Sequence, residues 1–211
     1  QLDIPGEDLD GVVDAISFIY DIRNHGYSHV PVGDKVAVIG MGMTAIDAAT
    51  QAKRLGAKEV TILYRRTKEE MPCTEKELDI AMLDGCQIVW LAAPKEVKGE
   101  NGKVVSLVAD KMMLGEPDAS GRRAPVATGE TFSIEVDMVI KAAGQMPFSD
   151  LVKQSGIDNA NGKVSVKQQS ATNLNGVFAG GDCVNGGKEV VDAVQAGKDG
   201  AKSILAYLNI L

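Results

Sequence analysis

The sequence has few cysteines, no excess of positive charge and no long apolar run. Its three cysteines, Cys73, Cys86 and Cys183, are far apart and form no C-x-x-C pair, which argues against a disulfide framework, a metal site or an iron–sulfur cluster. Lys and Arg number 22 against 29 Asp and Glu, and the net charge of −7 argues against a nucleic-acid surface. No stretch approaches the roughly 20 apolar residues of a membrane helix, and no leader is recognisable. We therefore expect a cytoplasmic protein without nucleic-acid or membrane partners.

The opening residues are typical of the interior of a loop. The chain begins at Gln1 without a methionine and continues directly into residues 2–7 (LDIPGE). We therefore expect a fragment of a longer protein. Its 211 residues are enough for one large domain or two small ones, with a buried core.

Apolar periodicity in the first half of the chain alternates between strand and helix, which indicates an α/β protein with a parallel sheet. The predicted elements are a helix over residues 12–22, buried strands over 35–40, 59–64 and 87–91, a helix ending at Gly56, and a helix from a Thr74–Glu77 capping box to Leu83.

Beyond residue 91 the pattern changes to strands separated by turn residues. Turns over residues 99–102 and 115–125 are typical of a β-meander, so we expect a small antiparallel layer on the sheet. The later predictions are strands over 137–143, 163–166 and 177–179, and a closing helix from about Glu189 with an apolar stripe of Val190, Val194, Ala201, Leu205 and Leu208.

A G-x-G-x-x-A sequence, Gly40-Met41-Gly42-Met43-Thr44-Ala45, lies between a buried strand and a helix, as a dinucleotide-binding turn requires. Gly40 permits the tight turn, Gly42 lets the backbone approach a pyrophosphate, and Ala45 keeps the helix near the strand. The N–H groups and dipole at the helix start favour the anion. The competing interpretation is a plain α/β crossover without a ligand.

An arginine pair, Arg65 and Arg66, follows the second strand of this unit, where such folds distinguish NAD from NADP. An acid there would bind the ribose 2′-hydroxyl, whereas two guanidiniums suit a 2′-phosphate. NADPH is therefore the predicted ligand, with NADH as the alternative. The competing interpretation is a surface pair bridging to Glu69 or Glu70.

Two later turns also follow apolar strands. Residues 142–144 (Ala-Ala-Gly) would let a nicotinamide or a second domain approach the backbone, or they form a routine strand-ending turn. Residues 180–182 (Gly-Gly-Asp) add a carboxylate that can accept bonds from a polyol or cap a turn. A long helix begins soon after, and its N-terminus can stabilise negative charge.

Together these stretches resemble the flavoprotein family of the NADPH-dependent glutamate synthase small chain, which also supplies the flavin module of dihydropyrimidine dehydrogenases. The resemblance covers essentially the whole chain, including the opening residues 4–7 (IPGE). It is most specific at residues 60–72 (VTILYRRTKEEMP), 114–125 (LGEPDASGRRAP), 177–182 and 187–197.

The resemblance implies a three-layer Rossmann-like NAD(P)H-binding domain inserted between two halves of an FAD-binding domain. Residues 1–31 would be a linker and helix, 32–147 the NAD(P)H domain, and 148–211 the C-terminal part of the FAD domain, with Phe148 marking the change. The missing N-terminal half of the FAD domain and a large catalytic subunit or domain would be its partners.

Individual residues take roles from the same resemblance. Gly40, Gly42, Met43, Thr44 and Ala45 would contact the NADPH phosphates, Arg65 and Arg66 the 2′-phosphate, Ala143 and Gly144 the nicotinamide, Gly181 and Asp182 the flavin ribityl chain, and Val190 the flavin ring. The reaction would be hydride transfer from NADPH to FAD, so no general acid or base is nominated.

The resemblance predicts an NAD(P)H-dependent flavin oxidoreductase that is inactive as a fragment, because the family's FAD-adenylate motif and cysteine-rich segment do not occur in it. Two alternatives stay open: an electron-input subunit of the dihydropyrimidine dehydrogenase type, and a non-catalytic nucleotide-binding interaction domain. Apolar surface where the first FAD half would pack would favour self-association.

Overall fold

The computed structural model describes residues 2–117, 123–144, 149–167 and 170–210. The chain divides into two compact units, Gln1–Gly144 and Gln145–Leu211. The predicted domain change at residues 147–148 lies outside the described residues. None of the helices described is both long and apolar enough to cross a membrane.

A five-stranded parallel sheet forms the centre of the first unit. With strands numbered in chain order, their spatial order is β1 (Val12–Asp14), β8 (Met138–Lys141), β2 (Lys35–Ile39), β3 (Glu59–Tyr64) and β4 (Gln87–Trp90). Ile39 at the end of β2 lies opposite both Leu63 and Lys141. Because the strands are parallel, their carboxyl ends meet at one edge of the sheet.

Helices cover one face of this sheet, and their ends follow local sequence rules. They are α1 (Ala15–His25), α2 (Met43–Leu55) and α3 (Glu75–Leu83), with short 3-10 turns at Tyr27–His29 and Lys68–Glu70. The predicted capping box of α3 is confirmed, because Thr74 Oγ1 accepts from the Glu77 N–H at 3.2 Å and Glu77 Oε2 accepts from the Thr74 N–H at 2.7 Å. Gly56 ends α2 in a left-handed conformation, as predicted.

An antiparallel sheet covers the other face. It consists of β5 (Ala92–Glu100), β6 (Lys103–Pro117) and β7 (Arg123–Glu135). Side chains of β2 alternate between the layers: Val36 and Val38 pack towards the helices, and Ala37 and Ile39 towards the antiparallel sheet. Burial on both faces explains why β2 is a continuous apolar run, and the predicted α/β fold with a meander layer is confirmed.

The prediction of a helix over residues 12–22 is wrong at its start. Val12–Asp14 is strand β1, which pairs with β8, and α1 begins only at Ala15. Asp14 is the N-cap, with its carboxylate accepting from the Ile16 N–H at 2.9 Å. The apolar residues before Asp14 fit helical spacing by coincidence, and a partner over 100 residues away decides their conformation.

In the part of the second unit that the structure describes, two short helices and two short strands precede a final long helix. They are α4 (Ser149–Gln154), β9 (Asn159–Ala160), β10 (Lys163–Val164) and α5 (Asp182–Asn185), followed by α6 (Val190–Tyr207). The predicted strand over 177–179 is reduced to a single bridge between Phe178 and Ala171. The α6 stripe is present but not buried: Val190 is 79% exposed and Val194 is 52% exposed.

Candidate functional site

Gly40 forms a turn at the carboxyl edge of the parallel sheet, immediately after β2. Its φ is +132°, and its N–H donates to the Leu63 carbonyl at 3.0 Å. A Cβ added at Gly40 would collide with the carbonyl group of Ala142, whose carbon would lie only 2.9 Å away. The protein's own backbone therefore requires glycine here, which agrees with the tight turn predicted for it.

Gly42 occupies the N-cap of α2 for a different reason. Its φ of −81° is accessible to any residue, and a Cβ added there would meet nothing within 4 Å. In the described chain no side chain caps α2, and its first turn contains no acidic residue. The helix start is therefore an open cradle lined by backbone N–H groups, which suits a phosphate anion.

The last three residues of the motif form the first turn of α2. Ala45 is fully buried in the helix core, and its N–H donates to the Gly42 carbonyl at 2.9 Å. Met43 is 40% exposed and Thr44 is half-buried, so both lie at the surface of the cradle. Their backbone N–H groups lie at the helix start, where a bound phosphate would accept hydrogen bonds from them.

Residues Ala143 and Gly144 lie beside this turn. The preceding Ala142 N–H donates to the Ile39 carbonyl at 2.9 Å, which joins the end of β8 to the end of β2. Ala143 and Gly144 are exposed, and Gly144 has a φ of +117°. The structure thus brings together the glycine turn, the end of β8 and, through Leu63, the end of β3.

The two arginines after β3 lie in different environments. Arg65 is exposed, whereas Arg66 is only 8% exposed and its Nε donates to the Arg123 carbonyl at 3.3 Å. Among the residues the structure describes, neither arginine pairs with Glu69 or Glu70, whose carboxylates both bond Thr67. The competing interpretation of an acid-bridged surface pair therefore has no support in these contacts.

Sequence reasoning missed Arg123, the first residue of β7. It lies within the stretch 114–125 that carried the resemblance, but no local signal pointed to a contact 57 residues away. The contact depends on the pairing of β6 with β7, where Pro117 lies opposite Arg123 after a register shift. An irregular register of this kind is decided by tertiary packing.

A half-buried ion pair lies near the same sheet edge. Lys141 Nζ at the end of β8 donates to Glu7 Oε1 at 2.9 Å, and the same carboxylate accepts from the N–H groups of Leu2 and Asp3. The bond from Lys141, followed by these backbone donors, lowers the pKa of Glu7 to about 2 against the opposing effect of burial. The pair fixes the opening residues 2–7 to the strand that leads into Ala143 and Gly144.

The predicted flavin-binding residues lie in the second unit. Gly181 has a φ of +73° and precedes α5, and Asp182, the first residue of α5, is exposed. A Cβ on the preceding Gly180 would lie 3.2 Å from the Cβ of Ala196, so α6 packs closely against this turn. Val190 is the first residue of α6 and points into solvent.

Comparisons with known sequences match nearly the whole chain. The pyridine nucleotide-disulphide oxidoreductase family profile matches residues 1–197.

The chain is 36% identical to the NADP(+)-dependent formate dehydrogenase subunit beta of Moorella thermoacetica, covering 99% of this chain and 30% of the relative. It is 36% identical to a putative glutamate synthase (NADPH) small chain of Cereibacter sphaeroides, covering 99% and 53%. With the glutamate synthase (NADPH) small chain of Azospirillum brasilense it shares 38% identity over 83% of this chain and 37% of the relative. The chain thus spans about a third to a half of these relatives.

Solved structures share the fold. FprA from Mycobacterium tuberculosis superposes with a TM-score of 0.75 at 21% identity, covering 99% of this chain and 61% of FprA. Lactococcus lactis thioredoxin reductase superposes with a TM-score of 0.75 at 25% identity, covering 100% of this chain and 63% of the reductase.

Proposed function

Because the chain belongs to the pyridine nucleotide-disulphide oxidoreductase family, we propose that it is the NADPH-binding part of a flavin-dependent oxidoreductase of the glutamate synthase small-chain type. The observation that carries this proposal is the sheet edge where the open cradle at Gly42 and the arginines after β3 come together. A pyrophosphate and a 2′-phosphate are the two anions of NADPH, and the edge offers a separate cationic or N–H-rich feature for each.

Each feature of the edge has a defined task in the proposal. The N–H groups of Gly42, Met43 and Thr44 bind the pyrophosphate, whereas the Ala45 N–H is already bonded to the Gly42 carbonyl. The guanidiniums of Arg65 and Arg66 bind the 2′-phosphate, and the exposed backbone of Ala143 and Gly144 leaves room for the nicotinamide. When bound, the nicotinamide would supply a hydride and FAD would accept it. The chain itself would position the nucleotide and neutralise its phosphates. Neither task requires a general acid or base at the described sheet edge.

The names of the relatives support this division of tasks. One name refers to formate dehydrogenase and two to glutamate synthase, yet all three include NADP or NADPH. The region they share with this chain therefore fits the common nucleotide better than the differing final substrates. We propose that a partner subunit or another part of a longer protein determines the final electron acceptor.

The second unit is proposed as the C-terminal part of an FAD domain. Gly181 and Asp182 provide a turn with an exposed carboxylate that can accept hydrogen bonds from ribityl hydroxyls. Val190, the first residue of α6, is exposed to solvent. The exposed apolar residues of α6 support packing against a segment beyond this chain. A chain purified alone should then lack the visible absorbance of bound flavin, and a stoichiometric flavin would contradict a shared FAD site.

Parallel fluorescence titrations with NADPH and NADH at low ionic strength test the proposed function. We expect NADPH to bind at least about tenfold more tightly, because one charge-assisted contact contributes about 1.5–3 kcal/mol. Lys103→Gln, which removes an exposed charge at the turn between β5 and β6, is the matched control. Failure to bind either nucleotide would contradict the proposal, and equal binding would contradict the assignment of the arginines.

A further inference from the structure

Arg66 is a buried cation with one neutral partner among the described residues. A guanidinium has five N–H donors, and here only Nε donates to a protein acceptor, the carbonyl of Arg123. Burying a charge is costly unless it is paired, and Arg66 as a whole residue is only 8% exposed. Its remaining donors have no protein acceptor among the described residues, so they are available to an anion such as the proposed 2′-phosphate.

The main chain around Arg66 is also restrained by hydrogen bonds. The Arg66 carbonyl accepts from the Leu91 N–H at 3.1 Å, and the Leu91 carbonyl accepts from the Met112 N–H at 2.8 Å. These bonds connect the end of β3 through the residue after β4 to β6. Arg65 has no comparable restraint in the described structure, and its exposed guanidinium is screened by solvent and salt.

The Arg123 side chain stabilises the β6–β7 hairpin, whose backbone supplies the carbonyl that accepts from Arg66. Its Nε donates to the Gly115 carbonyl at 3.0 Å and its Nη2 to the Leu114 carbonyl at 3.4 Å, across the register shift between β6 and β7. Bulges of this kind often direct a group towards a functional site. Arg123 thus fixes the hairpin with its side chain and orients Arg66 with its carbonyl.

We propose that Arg123 is a positioning residue for the 2′-phosphate, and that it makes Arg66, rather than Arg65, the main determinant of NADPH specificity. This inference rests on the proposed function. A guanidinium that is already ordered and desolvated gains more from a phosphate than an exposed one that must be immobilised. Arg65 then adds a weaker, salt-sensitive contribution.

The test compares Arg65→Gln, Arg66→Gln, Arg66→Lys and Arg123→Ala with the Lys103→Gln control. Each variant is titrated with NADPH and NADH, and with adenosine 2′,5′-bisphosphate and 5′-AMP, which differ only in the 2′-phosphate. We expect Arg66→Gln to lower the preference for the 2′-phosphorylated ligand at least about tenfold, Arg65→Gln less than about threefold, and Arg123→Ala about three- to tenfold. Arg66→Lys should recover little, because lysine lacks both the planar fork and the Nε donor.

The outcomes separate this inference from the proposed function. A wild-type chain that binds none of the four ligands would overturn the proposed function, and one that binds them without preference for the 2′-phosphate would overturn the assignment of both arginines and the inference with it. A wild-type preference that Arg65→Gln abolishes and Arg66→Gln retains would overturn only the inference. An Arg123→Ala chain that loses thermal stability or binds all four ligands more weakly at an unchanged ratio would show that Arg123 is merely structural. Because Arg123 is exposed, its variant tests the inference even if Arg66→Gln does not fold.

Discussion

Substituting Gly42 distinguishes a steric requirement of the fold from a steric requirement of ligand binding. The φ of −81° and the open space around Gly42 mean that an added Cβ meets no steric obstacle in the protein. The only expected cost is a weaker N-cap, up to about 1 kcal/mol of unfolding free energy. A side chain in the cradle would, however, occupy the space into which the proposed pyrophosphate fits.

The expected loss of binding free energy follows from the cost of overpacking a close contact, about 1–3 kcal/mol. We therefore expect Gly42→Val to weaken NADPH and NADH alike, by roughly 5- to 150-fold in Kd. Gly42→Ala should have a smaller effect in the same direction. Fluorescence titration measures the binding, and urea unfolding measures the stability of each variant. Wild-type affinity in a folded Gly42→Val chain would refute the placement of the pyrophosphate at α2.

Three further predictions concern other parts of the molecule. Gly40→Ala should lower the unfolding free energy by at least about 2 kcal/mol in urea, because φ is +132° and the Cβ strikes the Ala142 carbonyl; a stability equal to that of Gly42→Ala would contradict this. Glu7→Gln should cost about 1–3 kcal/mol at pH 7, because the folded state holds the pKa of Glu7 at about 2, below its ordinary 4.5. That stabilisation is complete above about pH 4.5 and disappears as pH falls towards 2, so a pH series of melting temperatures should show the wild type and Glu7→Gln converging there; a constant gap would refute the ion pair. Cys183 is exposed, whereas burial raises the pKa of Cys86 to about 11 and also raises that of Cys73. A thiol reagent at pH 8 should therefore label one cysteine quickly in the folded chain, and Cys183→Ser should abolish that fast phase.

The family was recognisable from sequence because its motifs are local. The resemblance to the glutamate synthase small chain is confirmed by relatives at 36–38% identity. A strand, a glycine turn and a helix within residues 35–55 depend mostly on neighbouring residues, so the pattern alone predicted β2 and α2. The capping box of α3 was predictable for the same reason, since both of its bonds join residues three apart.

Non-local pairing explains where the sequence interpretation failed. Val12 and Val13 are β-branched and suit a strand, but their spacing also fits a helix, and it is the parallel partner β8, over 120 residues later, that makes them extended. Residues 177–179 are apolar enough for a strand, yet they find only one bridging partner in the described chain. Strand formation requires a partner, and apolar pattern alone does not supply one.

The sequence by itself determined that the glycine turn and the arginine pair follow two strands of one parallel sheet, because strand, turn and helix periodicities are local and parallel strands share their carboxyl edge. That these residues bind a dinucleotide stays a prediction. Only the tertiary structure decided that Gly40 is required by the protein whereas Gly42 leaves space for a ligand. It also decided that Arg65 and Arg66, adjacent and chemically identical, differ in burial. Among the described residues, the β6–β7 hairpin offers Arg66 a neutral carbonyl, that of Arg123, and no carboxylate.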